Sequence, residues 1–302
     1  MRRAACVKRT LAIVRTHVIR GGRNESRTQT RARCAAPKPS PSSPPHVLVS
    51  PPTPPRDADW QNMTVLLDKP PRYSSFDIVA RLRRMSLDRG VKKVGHCGTL
   101  DPMATGLLIL CVGKATKIVD TYQANDKTYT GTIRLGEGTP SQDADTDVNE
   151  HQPWEHVTDE ALREAATALE GASRQMPPMY SAVKVDGRRL YESARLGVDV
   201  ERKERDVFVN SFVVVRDASD ARAVHFTAEC SKGTYVRTLA LDFCARLGTT
   251  GHLTALRRTK IGEYCVDDAW TIESLAVALG DDPKKYVRTF PPRPGEKMIK
   301  TS

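Results

Sequence analysis

The sequence predicts an α+β fold for the greater part of this 302-residue chain. From residue 64 onward, short strand-like segments and amphipathic helical segments follow one another without the regular alternation of βαβ units. The hydrophobic content of 39% is enough for one sizeable core without disulfide bonds. We therefore expect an N-terminal extension at 1–60, a folded domain at 61–280 and a tail at 281–302.

The N-terminal extension holds most of the positive charge. Residues 1–55 carry eleven Lys or Arg against one acid, Glu25, so they account for +10 of the net charge of +11. Residues 37–55 contain nine prolines, and this composition predicts disorder because it cannot bury enough apolar surface. The Arg-rich, acid-poor start is typical of a mitochondrial or plastid transit peptide. The alternative is a basic arm that stays on a protein of the cytoplasm or nucleus and contacts RNA backbone.

The first folded elements are a strand and a capped helix. Residues 65–67 predict a short apolar strand that ends at two prolines, and Ser74 or Ser75 can cap the helix that follows, with Gly90 as its stop. The outer face of this helix and the residues after it form a basic cluster, which is either a nucleic-acid contact or a solvated surface. Its members are Arg81, Arg83, Arg84, Lys92 and Lys93, and the inward positions are Ile78, Val79, Leu82 and Met85.

The remaining elements are assigned by hydrophobic periodicity and by their end signals. Strands are expected at 129–135, 207–215, 223–230 and 259–266, with the second and third forming a pair. Helices are expected at 158–169, at 235–247 with Gly248 as its stop, and from Thr271.

The seven cysteines are scattered and predict neither a disulfide framework nor a zinc site. They include no C-x-x-C pair and no Cys/His cluster at ligand spacing. We expect free thiols in a reducing compartment and no bound metal. No apolar run approaches the roughly 20 residues needed to cross a bilayer, so no membrane partner is expected.

Residues 95–106 are the most informative stretch for function. They contain three glycines, Pro102 and a single carboxylate, Asp101, and they lead into an apolar run at 107–112. A loop of this composition holds Asp101 on a turn at the mouth of a buried element, where catalytic side chains are often found. These residues alone leave Asp101 either as an Asp-Pro turn residue or as a catalytic carboxylate.

Five blocks of sequence, in order along the chain, carry a further signal. They are Leu67-Asp68-Lys69-Pro70 with Ser74-Ser75-Phe76-Asp77; residues 95–117; Lys127-Thr128-Tyr129 with Asp143-Ala144-Asp145; residues 177–184; and residues 231–238 with His252 and Leu256-Arg257-Arg258. Together these blocks resemble the TruB-type pseudouridine synthases. The resemblance implies a mixed, mostly antiparallel central sheet flanked by helices. Arg72, where the family usually has glycine, and Gly251, where it usually has alanine, depart from the pattern, and we expect no C-terminal PUA domain.

The resemblance also implies the roles of individual residues. Asp101 would be the nucleophile, Arg237 would pair with it, and Tyr235 would help to remove the carbon-5 proton. No metal or organic cofactor is implied. The expected substrate-binding residues are Tyr129, which would stack on the base, His96, Lys117, Leu256 and Lys69.

The implied activity is the conversion of uridine 55 in the T arm of tRNA into pseudouridine by a monomer that flips the target base. Two alternatives stay open. One is a guide-RNA-dependent synthase acting on rRNA. The other is an RNA-binding module that helps tRNA to fold without catalysis.

Overall fold

A mixed β-sheet organises the part of the chain that the computed structural model describes, residues 47–51, 56, 58–288 and 290. Fourteen strands lie in these residues. In chain order they are β1 Val47–Val49, β2 Asn62–Lys69, β3 Val94–His96, β4 Thr105–Gly113, β5 Lys127–Leu135, β6 Glu137–Gly138, β7 Glu150–His151, β8 Gly171–Gln175, β9 Lys184–Val185, β10 Arg188–Arg189, β11 Arg205–Arg216, β12 Ala223–Cys230, β13 Gly251–Ile261 and β14 Tyr264–Cys265.

Ten of these strands form the main sheet, and most of its pairs are antiparallel. The order is β1-β2-β4-β13-β5-β12-β11-β8, with β3 on β4 and β14 on β13. The pairs β1–β2 and β4–β13 are parallel. The predicted α+β fold with a mixed, mostly antiparallel sheet is therefore confirmed. The strands β6 with β7 and β9 with β10 form two separate hairpins.

Six α-helices in the described residues complete the fold, and four of them were expected. They are α1 Ser75–Leu87, α2 Val119–Ala124, α3 Asp159–Thr167, α4 Leu190–Arg195, α5 Val236–Arg246 and α6 Ile272–Leu279. Ser74 caps α1 by accepting a hydrogen bond from the Asp77 N–H at 3.1 Å, and the Asp77 carboxylate accepts one from the Ser74 N–H. All four apolar positions predicted for this helix are buried. No described helix is long and apolar enough to cross a membrane.

Two strands differ from their predicted bounds. β13 begins at Gly251 rather than at 259, because its first half, Gly-His-Leu-Thr-Ala-Leu, pairs with β5 through a register shift between Leu253 and Ala255 and shows no regular apolar alternation. The expected strand at 259–266 is broken by Gly262, whose φ of 55° starts the turn into β14. Both differences arise from long-range pairing and local backbone geometry, which periodicity does not report.

The packed chain extends beyond the expected bounds of the folded domain. Residues 47–49, inside the segment expected to be disordered, form β1 because an apolar Val-Leu-Val run pairs with β2, and Val49 is buried. At the other end, Tyr286 is buried and its carbonyl accepts a hydrogen bond from Arg81 Nε at 2.6 Å. Residues 1–46 lie outside the described part of the chain, so the predicted disorder there stays a prediction.

The basic cluster on α1 is partly engaged within the protein. Arg81 stacks on Tyr73 at 4.3 Å, and Arg84 lies 6.0 Å from the ring of Tyr286. The other three members, Arg83, Lys92 and Lys93, are exposed. Two of the five cations therefore hold the C-terminal residues against the helix.

The two departures from the family pattern have structural counterparts. Arg72 adopts a left-handed φ of 70°, the conformation that glycine adopts most readily, and its N–H donates to the Pro102 carbonyl at 2.8 Å. A Cβ at Gly251 would lie 2.4 Å from Cys244 Sγ and 2.8 Å from the Arg134 carbonyl oxygen. The sulfur of Cys244 thus fills the space that an alanine at 251 would need.

We predict that Gly251→Ala lowers the free energy of unfolding by about 1–3 kcal/mol, because the added methyl group overpacks this contact. Urea denaturation of the purified protein measures the change. Gly95→Ala is the matched control, since a Cβ there meets its neighbours only at 3.9 Å and beyond. Adding Cys244→Ala to Gly251→Ala should restore part of the loss; strictly additive effects of the two substitutions would contradict the account.

Candidate active site

A cavity of about 670 Å³ opens where the loop before β4, the starts of β5 and α5, and the segment after β8 converge. Ligand sites of this kind usually enclose about 300–1,000 Å³. Six of the eight residues expected at the site line it, and they come from distant parts of the sequence. They are His96, Asp101, Tyr129, Tyr235, Arg237 and Leu256.

The loop that carries Asp101 is anchored by its apolar residues. Leu100, Met103 and Ala104 are all buried in the core between the sheet and the helices α3 and α5. The Leu100 N–H donates to the Ser75 hydroxyl at 2.8 Å, which ties the loop to the start of α1. The side chain of Asp101, by contrast, is 30% exposed and lines the cavity. The fold thus fixes the loop backbone while leaving this carboxylate accessible.

Asp101 forms a bidentate ion pair with Arg237 in the first turn of α5. Arg237 Nε and Nη2 donate to the two carboxylate oxygens of Asp101 at 2.9 and 3.0 Å. The same guanidinium donates to the Ser141 carbonyl at 2.8 Å and to the Tyr180 carbonyl at 2.7 Å. Arg237 is buried, and such parallel charge-assisted bonds fix orientation as well as charge. Asp101 is therefore held in one orientation with its carboxylate facing a guanidinium.

A second carboxylate, Asp143, lies 3.6 Å from Arg237 Nε and was not among the expected site residues. Its Oδ1 accepts hydrogen bonds from the Ser141 hydroxyl at 2.6 Å and from the Asp145 N–H at 3.0 Å. Burial raises the pKa of this carboxyl, while Arg237 opposes the rise. Asp143 is buried outside the cavity lining, so it contributes a second negative charge next to the Arg237 guanidinium. The Asp143-Ala144-Asp145 block was the sequence signal for it.

Tyr129 and Leu256 form the apolar wall of the cavity, on the neighbouring strands β5 and β13. Leu256 pairs with Gly131, and the side chains of Tyr129 and Leu256 belong to the same buried cluster. A Cβ at Gly131 would lie 2.4 Å from the Ala255 carbonyl oxygen, so only glycine permits the strands to approach this closely. An aromatic ring beside a leucine offers a flat apolar surface for a nucleobase.

Tyr235 occupies the N-cap position of α5, beside Arg237 in sequence. Its N–H donates to Gln175 Oε1 at 2.9 Å, which fixes the start of the helix to the end of β8. Burial raises the pKa of the Tyr235 hydroxyl. At neutral pH the Tyr235 hydroxyl is therefore protonated. It can accept a proton from another group only if it gives up its own proton in the same step.

Two family models match almost the whole of the folded part of the chain. The family described as "TruB family pseudouridylate synthase (N terminal domain)" matches residues 83–236, and "tRNA pseudouridylate synthase B C-terminal domain" matches residues 237–290. The chain belongs to the TruB family.

Curated relatives agree with this assignment. The tRNA pseudouridine synthase B of Thermobifida fusca is 46% identical over 218 residues, covering 70% of this chain and 73% of the relative. The enzyme of the same name from Chloroherpeton thalassium is 47% identical over 213 residues, covering 70% of this chain and 88% of the relative. A third, from an Arthrobacter species, is 48% identical and covers 71% of each chain.

Solved structures support the fold. One chain in the crystal structure of a Cbf5-Nop10-Gar1 complex is 27% identical, with a TM-score of 0.52. The match covers 70% of this chain and 53% of that chain. An archaeal box H/ACA sRNP Nop10-Cbf5 complex contains a chain with a TM-score of 0.51 at 23% identity, which bears on the fold alone.

Two expected substrate-binding residues do not line the cavity of this TruB-family protein. Lys69 is fully buried at the end of β2, where its Nζ donates to the carbonyls of Tyr73 at 2.6 Å, Pro70 at 3.1 Å and Pro102 at 3.2 Å. Burial lowers the pKa of Lys69 to about 8, and the charge of Asp101 opposes that change. The expectation that Lys69 binds substrate is therefore corrected: it positions the backbone beside Asp101.

Lys117 lies on a short 3₁₀ helix, Lys114–Ile118, and its side chain is exposed to solvent outside the cavity lining. The structure therefore does not bring Lys117 into the cavity, and its expected contact with the RNA stays a prediction. Lys127, ten residues further along the chain, lines the cavity instead. The Lys127-Thr128-Tyr129 block contains this lysine, although only its tyrosine was expected at the site.

His96 lies at the end of β3 on the rim of the cavity. Its ring meets the exposed ring of Phe76 edge-on, with centroids 5.4 Å apart. Burial lowers the pKa of His96, with the charge of Arg258 acting in the same direction. The imidazole is therefore neutral at pH 7. Its Nδ1 is buried and makes no hydrogen bond with the residues that the structure describes.

Several other residues that line the cavity are basic. Lys184, Arg205 and Lys232 are exposed at its edge, and Arg258 is buried in its wall. Residues 56–302 carry a net charge of only +1, so this clustering, rather than total charge, produces a basic surface around the site. Within the described residues, no group of three or more His, Cys, Asp or Glu side chains could hold a metal ion.

We predict that Arg237→Lys slows pseudouridine formation by about 10²-fold or more, because misplacing a catalytic group by about 1 Å can cost that much. A lysine ammonium cannot reproduce the two parallel bonds to Asp101 while also reaching the Ser141 and Tyr180 carbonyls. Single-turnover rates on a tRNA transcript measure the effect, and filter binding should show RNA affinity within about threefold of wild type.

The matched control for this substitution is Arg246→Lys, in the exposed last turn of the same helix. It should leave both the rate and the affinity unchanged. A wild-type rate in Arg237→Lys would show that the bidentate geometry is not required.

Proposed function

We propose that this protein converts uridine 55 in the T arm of tRNA into pseudouridine, with Asp101 as its nucleophile. The observation that carries the proposal is the buried Arg237, which holds the accessible carboxylate of Asp101 by two bonds at the edge of a cavity. The curated relatives with about 45% identity are named tRNA pseudouridine synthase B, which supports tRNA as the substrate.

The reaction is an isomerisation that needs no net supply of atoms. The bond between ribose carbon 1′ and uracil N1 breaks, a bond from carbon 1′ to uracil C5 forms, a proton leaves C5 and N1 gains one. A carboxylate suits covalent catalysis because it is already ionised at neutral pH and needs no separate base. Asp101 would form a transient covalent bond with the flipped nucleotide, and this bond would break again before the product leaves. Tyr235 would relay the C5 proton through its own hydroxyl.

The target base has to leave the RNA stack before it can react, which costs a few kcal/mol. Stacking of the flipped base on Tyr129 would offset about 1–3 kcal/mol of this cost. The basic residues at the edge of the cavity, Lys184, Arg205 and Lys232, would contact phosphates of the flanking nucleotides. We also propose that the monomer is sufficient for activity.

The alternatives are less well supported. A guide-RNA-dependent enzyme is not favoured, since the curated relatives are named as tRNA enzymes. A binding module without catalysis would have no use for a carboxylate that is oriented by a buried arginine.

We predict that wild-type protein forms pseudouridine at position 55 of an unmodified tRNA transcript, mapped by position, and that Asp101→Asn forms none. The asparagine amide keeps the size of the side chain, but it carries no negative charge and does not attack carbon as a carboxylate does. Asp159→Asn, at the exposed start of α3, is the matched control and should retain full activity. Product from Asp101→Asn, or product at another position only, would contradict the proposal.

We also propose that residues 1–46 direct the protein to a mitochondrion or plastid, on the basis of their many arginines and single acid. A fluorescent protein fused after residue 60 should then reach an organelle in plant or animal cells. The same fusion with the arginines of residues 1–33 replaced by glutamine should stay in the cytosol. Cytosolic or nuclear fluorescence from the unaltered fusion would favour the alternative of a basic RNA-binding arm.

A further inference from the structure

Arg258 is a buried cation in the wall of the cavity. Only 1% of it is exposed, and its Nε and Nη2 donate to the carbonyls of Leu107 at 2.7 Å and Gly98 at 3.2 Å. Among the described residues, no carboxylate forms an ion pair with it. Burying a charge without a counter-charge is costly, and such groups concentrate at functional sites.

Arg258 lines the same cavity as Asp101 and Tyr129. Its two carbonyl partners, Gly98 and Leu107, lie before and after Asp101 in the sequence, so the guanidinium connects the two ends of the loop that carries Asp101. In the β13–β5 pairing, Arg258 lies opposite Tyr129. Burial raises the pKa of the Tyr129 hydroxyl, and the neighbouring guanidinium of Arg258 opposes that rise. A base that stacks on Tyr129 would therefore lie beside this cation.

The other cations of the cavity are engaged elsewhere or exposed. Arg237 is paired with Asp101 and lies beside Asp143. The Nζ of Lys127 donates to the backbone carbonyls of Gln123 and Asn125, and burial lowers its pKa to about 8. The three remaining cations lie at the solvent edge. Within the described part of the chain, Arg258 is therefore the cavity cation that is buried, permanently charged and without a carboxylate partner.

We propose that Arg258 is a catalytic residue whose guanidinium stabilises the negative charge that develops on uracil when the glycosidic bond breaks. This role rests on the proposed isomerisation. When the bond between carbon 1′ and N1 breaks heterolytically, its electron pair stays on the base and spreads onto the uracil oxygens. The pair is consumed when C5 bonds to carbon 1′, C5 loses its proton and N1 gains one. A fixed cation that is already desolvated stabilises such a charge without any rearrangement of solvent or side chains.

The test compares two substrates, a tRNA carrying uridine and one carrying 5-fluorouridine at the target position. Fluorine withdraws electrons and stabilises the uracil anion by itself, so the departure of fluorouracil depends less on an enzyme cation. Single-turnover loss of the target nucleoside, followed by nuclease digestion and mass spectrometry, is measured for wild type, Arg258→Gln and Arg258→Lys.

We expect Arg258→Gln to slow the reaction of uridine by about 10²–10³-fold, the usual effect of removing one donor to a developing oxyanion. The slowing on fluorouridine should be at least about fivefold smaller, and Arg258→Lys should lie between Arg258→Gln and wild type. Arg257→Gln is the matched control, because its neighbouring guanidinium is partly exposed and pairs with Asp68 at 2.7 Å. Any slowing in this variant should be equal on the two substrates.

Equal slowing of both substrates by the Arg258 variants would overturn the proposal and leave Arg258 with a structural role. If Arg258→Gln does not fold, the same comparison is decided on Arg258→Lys, which keeps the charge. A wild-type protein that converts neither substrate would instead overturn the proposed function, and with it this role.

Discussion

Arg237 is the group on which the arrangement of the site depends. Its single guanidinium bonds both oxygens of Asp101, donates to the carbonyls of Ser141 and Tyr180 and lies beside Asp143. These partners come from the loop before β4, the segment after β6 and the segment after β8, so one buried side chain connects three distant stretches of sequence. Truncating a buried charge with this many partners leaves several polar groups unsatisfied. Arg237 thus fixes the orientation of the Asp101 carboxylate and also stabilises the packing around it.

The sheet supplies the second constraint. The parallel contact of β4 with β13 at Gly106 and Arg258 brings the end of the Asp101 loop against a buried arginine, and a Cβ at Gly106 would lie 2.2 Å from the Arg258 carbonyl oxygen. The Nζ of Lys69 donates a hydrogen bond to the Pro102 carbonyl in the same loop at 3.2 Å. The loop is therefore fixed by cations that donate to its backbone carbonyls, which leaves the Asp101 carboxylate to pair with Arg237.

Sequence patterns predicted the helices α1, α3, α5 and α6 well, because each has an apolar face and local end signals. A Ser or Thr side chain caps α1, α3 and α6, and a glycine follows the end of α5. They missed the first half of β13, whose pairing with β5 depends on partners more than a hundred residues away. The motifs correctly predicted that Asp101 and Arg237 line the cavity. Lys69 and Lys117 lie outside the cavity lining, because a motif does not state whether a lysine faces the cavity, the backbone or solvent. Asp143 and Arg258 were missed because their roles depend on burial.

The most direct test of this account is a crystal structure of the protein with a T-arm stem-loop RNA that carries 5-fluorouridine at the target position. The account predicts that the target base lies flipped in the cavity against Tyr129, with its nucleotide in contact with Asp101 and with Arg237 still holding Asp101 or its adduct. A target base that remains stacked in the RNA, or that binds outside the cavity with Asp101 released from Arg237, would contradict it.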